Sequence, residues 1–136
     1  MVRNLRRAKG GFYGWMDTII VNCFSVKFQY MYAYFNRCVE LKVVPRSPRD
    51  VMRIGAVGDD SVVGMHPSIH HILSPQEMQK QARKMGYAMT SGDKTKEMAF
   101  TRLSEISFLK RRFVRDGAVV WAPLATDSIY KSLTVS

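Results

Sequence analysis

From Asp17 onward the apolar residues fall into a helical rhythm. At 100° per residue, Ile20, Phe24, Phe28, Met31 and Phe35 gather in one stripe, while Thr18, Asn22, Ser25, Gln29 and Asn36 gather opposite it. This predicts a two-faced helix over about residues 17–37 with its apolar stripe in the core. The polar stripe is less ordinary, because Thr and Asn side chains compete with the helical backbone and need a reason to sit mid-helix. Beyond a loop punctuated by Pro45 and Pro48, residues 51–57 and 61–65 alternate as two short strands around Gly58-Asp59-Asp60, a tight hairpin. Ser74-Pro75-Gln76-Glu77 supplies an N-cap, a proline at the first helical position and a capping-box glutamate. That helix should reach Met85 and stop at Gly86.

Farther on the elements shorten. Residues 87–90 suggest a strand and 91–94 a turn. Residues 106–109 and 112–115 read as strands, and Asp116-Gly117 turns into a strand over 118–121. After Pro123, Thr126 or Asp127 caps a last helix. Helices alternate with antiparallel hairpins and no βαβ rhythm appears, so the fold class is α+β.

With 46% hydrophobic residues in 136, the chain can fill one core. A net charge of +10 favours a polyanionic partner, and the densest basic run is Lys110, Arg111, Arg112 and Arg115. The two cysteines, Cys23 and Cys38, share the first helix and lie roughly 22 Å apart along it, too far for a disulfide, which fits a reduced intracellular protein. Residues 1–9 are basic, but no apolar run with a cleavage site follows. Asn22, Lys27 and Gln29 interrupt the most apolar stretch and argue against a membrane span.

Asp59 and Asp60 carry the clearest chemistry. Adjacent carboxylates on a hairpin tip repel each other, and a divalent cation relieves that; Mg²⁺ typically takes one or two carboxylates plus substrate phosphates. A solvated Asp-Asp turn fits the same residues. Thr18 and Asn22, one helical turn apart, offer a hydroxyl and an amide that could read a ribose, or could simply face solvent. His66 and His70 have a zinc-like spacing, but Pro67 disfavours a helix and no further ligand completes a set, so they read as loop histidines.

Several short motifs then line up. Tyr13-Gly14 through Thr18 to Asn22 resembles polymerase motif B, Val57-Gly58-Asp59-Asp60 resembles motif C, and Lys94 is similar to the lysine of motif D. Phe108-Leu109-Lys110-Arg111 matches the motif E signature of the picornavirus-like superfamily, and Trp121-Ala122-Pro123-Leu124 with Asp127 and Ile129 resembles the thumb of dicistrovirus- and iflavirus-like enzymes. The chain is thus similar to a viral RNA-dependent RNA polymerase over motifs B to E.

That resemblance implies a partial right-hand palm over residues 1–104, a motif E hairpin over 105–122 and the start of a thumb over 123–136. It implies Mg²⁺ (or Mn²⁺) on Asp59 and Asp60, nucleotide contacts from Gly14, Thr18 and Asn22, and Lys94 as a general acid toward the pyrophosphate leaving group. Without the family, Lys94 reads equally as a solvated lysine. Lys110 and Arg111 would touch the primer strand. The implied partners are an RNA template and primer, ribonucleoside triphosphates, and upstream fingers and palm of the same polyprotein. The implied location is a membrane-associated replication complex in the host cytoplasm.

Two departures qualify the match: Tyr13 stands where the family has serine, and Val57 where an aromatic residue is common. No Asp-x-x-x-x-Asp pair precedes Gly10, so motif A is missing and the isolated chain is expected to be inactive. The alternatives are a non-catalytic, endogenised RNA-binding remnant and a reverse-transcriptase palm; the motif B spacing and Phe108-Leu109-Lys110-Arg111 count against the latter.

Overall fold

The computed structural model describes residues 18–92 and 97–134. They divide into two compact units between Ala99 and Phe100. The first contains helix α1 (Thr18–Glu40), the short helix α2 (Pro48–Val51), strands β1 (Met52–Val57) and β2 (Asp60–Met65), a 3-10 turn at Pro67–Ile69, and helix α3 (Pro75–Lys84). The alternation of helix and antiparallel hairpin agrees with the α+β class.

The long helix forms where the sequence places it, but its buried face is not the expected one. Ile20, Phe24, Phe28 and Phe35 are exposed, at 55%, 70%, 63% and 40%, and Met31 is half-buried. The buried residues of α1 are Asn22, Gln29, Tyr30, Ala33, Tyr34 and Cys38. Periodicity identifies the greasier side of a helix, whereas packing selects the side its neighbours fit. Ala33, with no exposed surface, lets the other elements approach closely, and the polar tips beside it find partners. The Tyr34 hydroxyl accepts a hydrogen bond from the Arg46 backbone N–H at 3.0 Å, and Asn36 Nδ2 donates to Gln81 Oε1 at 2.7 Å. A buried tyrosine packs well once its hydroxyl is satisfied.

The core gathers Tyr30, Ala33, Tyr34 and Cys38 of α1 with Val51, Met52, Ile69, Ile72, Leu73 and Met78. Val51, expected in a strand, instead closes α2, which Pro48 opens. At α3 the N-cap and the stop act as written: Ser74 Oγ accepts from the Glu77 N–H at 3.2 Å, Pro75 occupies the first turn, and Gly86 adopts φ +83° past the end. The Glu77 carboxylate, expected to complete a capping box, instead pairs with Lys80 at 3.0 Å and Arg37 at 3.4 Å. A polar seam ties α3 to α1. Glu40 takes Arg37 Nη1 at 2.7 Å and Lys84 Nζ at 3.0 Å, and the buried Gln81 amide donates to it at 3.3 Å. The Arg37 hydrogen bond first, then those of Lys84 and Gln81, pull the Glu40 carboxyl down to about 2.

Residues 87–90 form no strand. The Met89 carbonyl accepts from the Gln79 side chain at 3.1 Å, so a helix side chain takes the place of a strand partner.

The second unit contains a 3-10 turn at Leu103–Glu105, strands β3 (Ser107–Phe108), β4 (Arg111–Arg112), β5 (Val114–Asp116) and β6 (Val119–Trp121), and helix α4 (Thr126–Thr134). β3 pairs with β4 and β5 with β6, both antiparallel. The strand expected over 106–109 ends at Phe108, because Leu109 and Lys110 both turn left-handed, with φ of 52° and 60°. The Asp116-Gly117 turn forms as expected, with Gly117 at φ +58°. Thr126 and Asp127 lie inside α4 rather than capping it; the Ala125 carbonyl accepts the first helical N–H groups, from Ser128 and Ile129. Among the described residues of this unit, none is buried. No described helix is long and apolar enough to cross a membrane.

Candidate active site

The acidic turn is built by local backbone chemistry. Val57 pairs with Asp60, which leaves Gly58 and Asp59 as the two turn residues. Gly58 has φ +59°, while Asp59 is not left-handed. A glycine at positive φ in the first central position is the signature of a type II′ turn, whose twist matches that of the flanking strands. Asp60 is therefore the first residue of β2, and Asp59 sits on the tip. Both are exposed.

Helix α1 holds this hairpin from one side. The Cys23 thiol donates to the Ala56 carbonyl at 3.1 Å. The Tyr30 and Ser61 hydroxyls hydrogen-bond at 3.2 Å. Burial pushes the Tyr30 phenol up, against a smaller downward pull from Ser61, so it stays protonated at neutral pH. Cys23, half-buried, and Cys38, buried, are both free thiols.

Asn22, next to Cys23 along the helix, is 7% exposed and makes no side-chain hydrogen bond among the described residues. A buried amide without a partner is costly, and a bound ligand, ion or water is one way such a group is satisfied. Thr18, one turn earlier, is half-buried. Thr18, Asn22, Asp59 and Asp60 thus belong to one unit, with the hairpin braced against the helix that carries the first two. Gly14 and Lys94 lie outside the described residues, and so does Tyr13.

A metal ion can be weighed against these donors. Among the described residues no three His, Cys, Asp or Glu side chains gather into a ligand set. Asp59 and Asp60 alone do not form a closed site. Two exposed carboxylates suit Mg²⁺ or Mn²⁺ shared with substrate phosphates and ligands beyond these residues, which is how Mg²⁺ is usually bound. His66 and His70 serve local structure. His66 Nδ1 accepts the Ser68 N–H at 3.2 Å, capping the 3-10 turn, and His70 Nε2 lies 3.2 Å from the Met65 carbonyl.

Lys110 and Arg111 belong to the other unit. Lys110 occupies the two-residue turn closed by the Phe108–Arg111 pair. Two consecutive left-handed residues match a type I′ turn, which normally recruits Asn or Gly. Leu109 and Lys110 adopt it without glycine, a backbone cost of the kind that concentrates at functional sites. Arg111 is anchored by Nη1 donating to the Ala122 carbonyl at 2.8 Å, and its backbone bridges to Leu124. Sequence reasoning missed this turn, and it missed the bracing residues Cys23, Tyr30 and Ser61. The available signal was the seven-residue spacing of Cys23 and Tyr30, which returns to one side of a helix.

Comparison with known proteins agrees with the polymerase resemblance at the level of the family. The chain is 32% identical over 85 residues to the RNA1 polyprotein of Andean potato mottle virus, covering 60% of this chain and 12% of that protein. It is 27% identical over 126 residues to the RNA1 polyprotein of Cowpea mosaic virus (strain SB), covering 88% of this chain and 7% of that protein. The chain therefore spans only a small part of the curated relatives it matches. The family model for viral RNA-dependent RNA polymerase matches residues 14–134. The chain belongs to the viral RNA-dependent RNA polymerase family.

Proposed function

We propose that this chain supplies half of a two-metal nucleotidyl-transfer centre, the Asp59–Asp60 turn, together with the helix that reads the incoming ribonucleotide. The complete enzyme would extend RNA by attack of a primer 3′-hydroxyl on the α-phosphate of a nucleoside triphosphate. Bound divalent ions would supply charge neutralisation for the attacking and leaving oxygens. Asp59 would be the principal ligand and Asp60 the secondary one. Asn22 and Thr18 would favour ribose over deoxyribose, with Gly14 beside them. Lys94 would protonate pyrophosphate as it leaves, and Lys110 and Arg111 would hold the primer backbone without reading its sequence.

The observation that carries this reading is the exposed acidic turn, braced on the helix that buries Asn22, whose side chain has no hydrogen-bond partner among the described residues. The segment boundaries at 104 and 122, and the dicistrovirus- or iflavirus-like subtype suggested by Trp121-Ala122-Pro123-Leu124, belong to the same proposal. So does a location at membrane-associated replication complexes in the host cytoplasm. The isolated chain, with half the metal ligands, should incorporate no ribonucleotide.

In the complete polymerase, Asp59→Asn should abolish template-directed ribonucleotide incorporation while leaving the thermal unfolding midpoint unchanged. Full incorporation by that variant would overturn the reading. A second reading, a non-catalytic RNA-binding remnant, is favoured by Tyr13 in place of the family's serine. It expects RNA binding without incorporation from the complete protein.

A further inference from the structure

Two side chains of α1 grip the two ends of a single rung of the hairpin. Ala56 and Ser61 are cross-strand partners in the β1–β2 register. Cys23 donates to the carbonyl of one at 3.1 Å, and Tyr30 bonds the hydroxyl of the other at 3.2 Å. The next rung toward the tip is Val57–Asp60, and beyond it lies only the Gly58-Asp59 turn. The helix therefore holds the ribbon at the last position before the acids, once on each strand.

A two-stranded ribbon is marginally stable alone in water. Among the described residues β1 and β2 form a sheet of two strands only, so both outer edges lack a strand partner there. Among the described residues, contact with α1 restrains the ribbon next to its tip. The Tyr30 side chain is buried at 7% exposure, so its ring is fixed by packing and its hydroxyl is delivered to Ser61 from a rigid base.

We infer that Tyr30, acting through Ser61 with Cys23 as its counterpart on the opposite strand, is a positioning residue that sets the aim of the Asp59 and Asp60 carboxylates. The inference rests on the metal-binding reading proposed above. Tyr30 and Ser61 touch neither substrate nor metal in this scheme; they fix where the neighbouring acids point. Tyr30→Phe and Ser61→Ala each delete one hydroxyl and leave the fold's apolar contacts in place. Ser61→Thr retains the hydroxyl.

The test uses the complete polymerase containing this segment and three readouts. These are Mn²⁺ affinity from loss of the free-ion electron paramagnetic resonance signal, the Mg²⁺ concentration at half-maximal incorporation, and the thermal midpoint. Tyr30→Phe and Ser61→Ala should each weaken Mn²⁺ binding and raise the Mg²⁺ requirement by about three- to tenfold, the size of one net hydrogen bond. The double variant should be no worse than either single one, since both remove the same bond. Ser61→Thr should stay near wild type, and all thermal midpoints should stay close together.

Unchanged metal affinity in both single variants, or fully additive losses in the double one, would overturn the inference. Should Tyr30→Phe unfold the protein, Ser61→Ala alone decides the question. Asp59→Asn separates this inference from the reading beneath it. If Asp59→Asn abolishes metal binding while Tyr30→Phe leaves it untouched, only the positioning role is lost. If Asp59→Asn binds metal and polymerises normally, the metal reading itself is lost.

Discussion

The two units of this chain reach order by different routes. In the first, side chains from α1, α2, β1, α3 and the intervening turns meet in a buried cluster, with Ala33 and Leu73 fully enclosed. In the second, no described residue is buried, and Trp121, Tyr130 and Leu133 stand 59%, 62% and 77% exposed. What shapes the second unit is backbone pairing: Arg112 N–H to the Pro123 carbonyl at 3.1 Å, Ala125 N–H to the Lys110 carbonyl at 2.7 Å, and two short hairpins. Hydrogen bonds contribute little net stability in water, whereas apolar burial contributes roughly 25 cal/mol per Å². The first unit is therefore the stable half, and the second is a set of turns whose apolar side chains still face water.

Substitutions can break that contrast or sharpen it. Leu73→Ala, at a fully buried position, should destabilise the first unit by about 2–5 kcal/mol in denaturant unfolding. Ser74→Ala removes the acceptor for the Glu77 N–H and should cost about 1 kcal/mol in the same measurement.

A smaller effect should appear with acid. The Glu40 carboxyl is held at about 2 in the fold against an ordinary 4.5. Its contribution is complete above 4.5 and fades as the pH falls toward about 2. Glu40→Gln should lower the thermal midpoint above about pH 5 and leave it nearly unchanged near pH 2, which flattens that part of the profile.

The smallest effect should come from Trp121→Ala. A tryptophan in a packed core would cost several kcal/mol, but here the change should stay within about 0.5 kcal/mol for the isolated chain. A large loss would mean that the second unit has a core after all.

What could be read from the sequence was what local chemistry decides. Gly58 at a type II′ position, Ser74 before Pro75, and Gly117 after Asp116 each act through backbone geometry within a few residues, and each turn or cap stands where its residues imply. The extent of α1 was legible too, within about three residues at its C-terminal end. Its orientation was not. The stripe of Ile20, Phe24, Phe28 and Phe35 is the most apolar side, yet the hairpin and α3 dock on the side where Ala33 is small and Tyr30, Tyr34 and Asn36 reach polar partners. That choice depends on residues 12 to 45 positions away, which periodicity within a window does not sample. The left-handed Leu109-Lys110 turn was hidden for the opposite reason, since neither residue carries a turn preference. Of the candidate site, the acidic turn stands where its residues imply, and Thr18 and Asn22 are drawn to it by motif spacing alone, whereas the braces at Cys23, Tyr30 and Ser61 emerge only from strand register.

The β1–β2 ribbon is a lever clamped one rung short of its tip. Six paired residues make an arm of roughly 17 Å from its root at Met52 and Met65 to the acidic turn. Were the clamp at Ala56 and Ser61 released, a tilt of only about 3° at the root would carry the carboxylates about 1 Å, a displacement on the scale that costs about a hundredfold in rate when reacting groups must align. Two hydrogen bonds at the far end thus suppress a motion that the length of the arm would otherwise magnify.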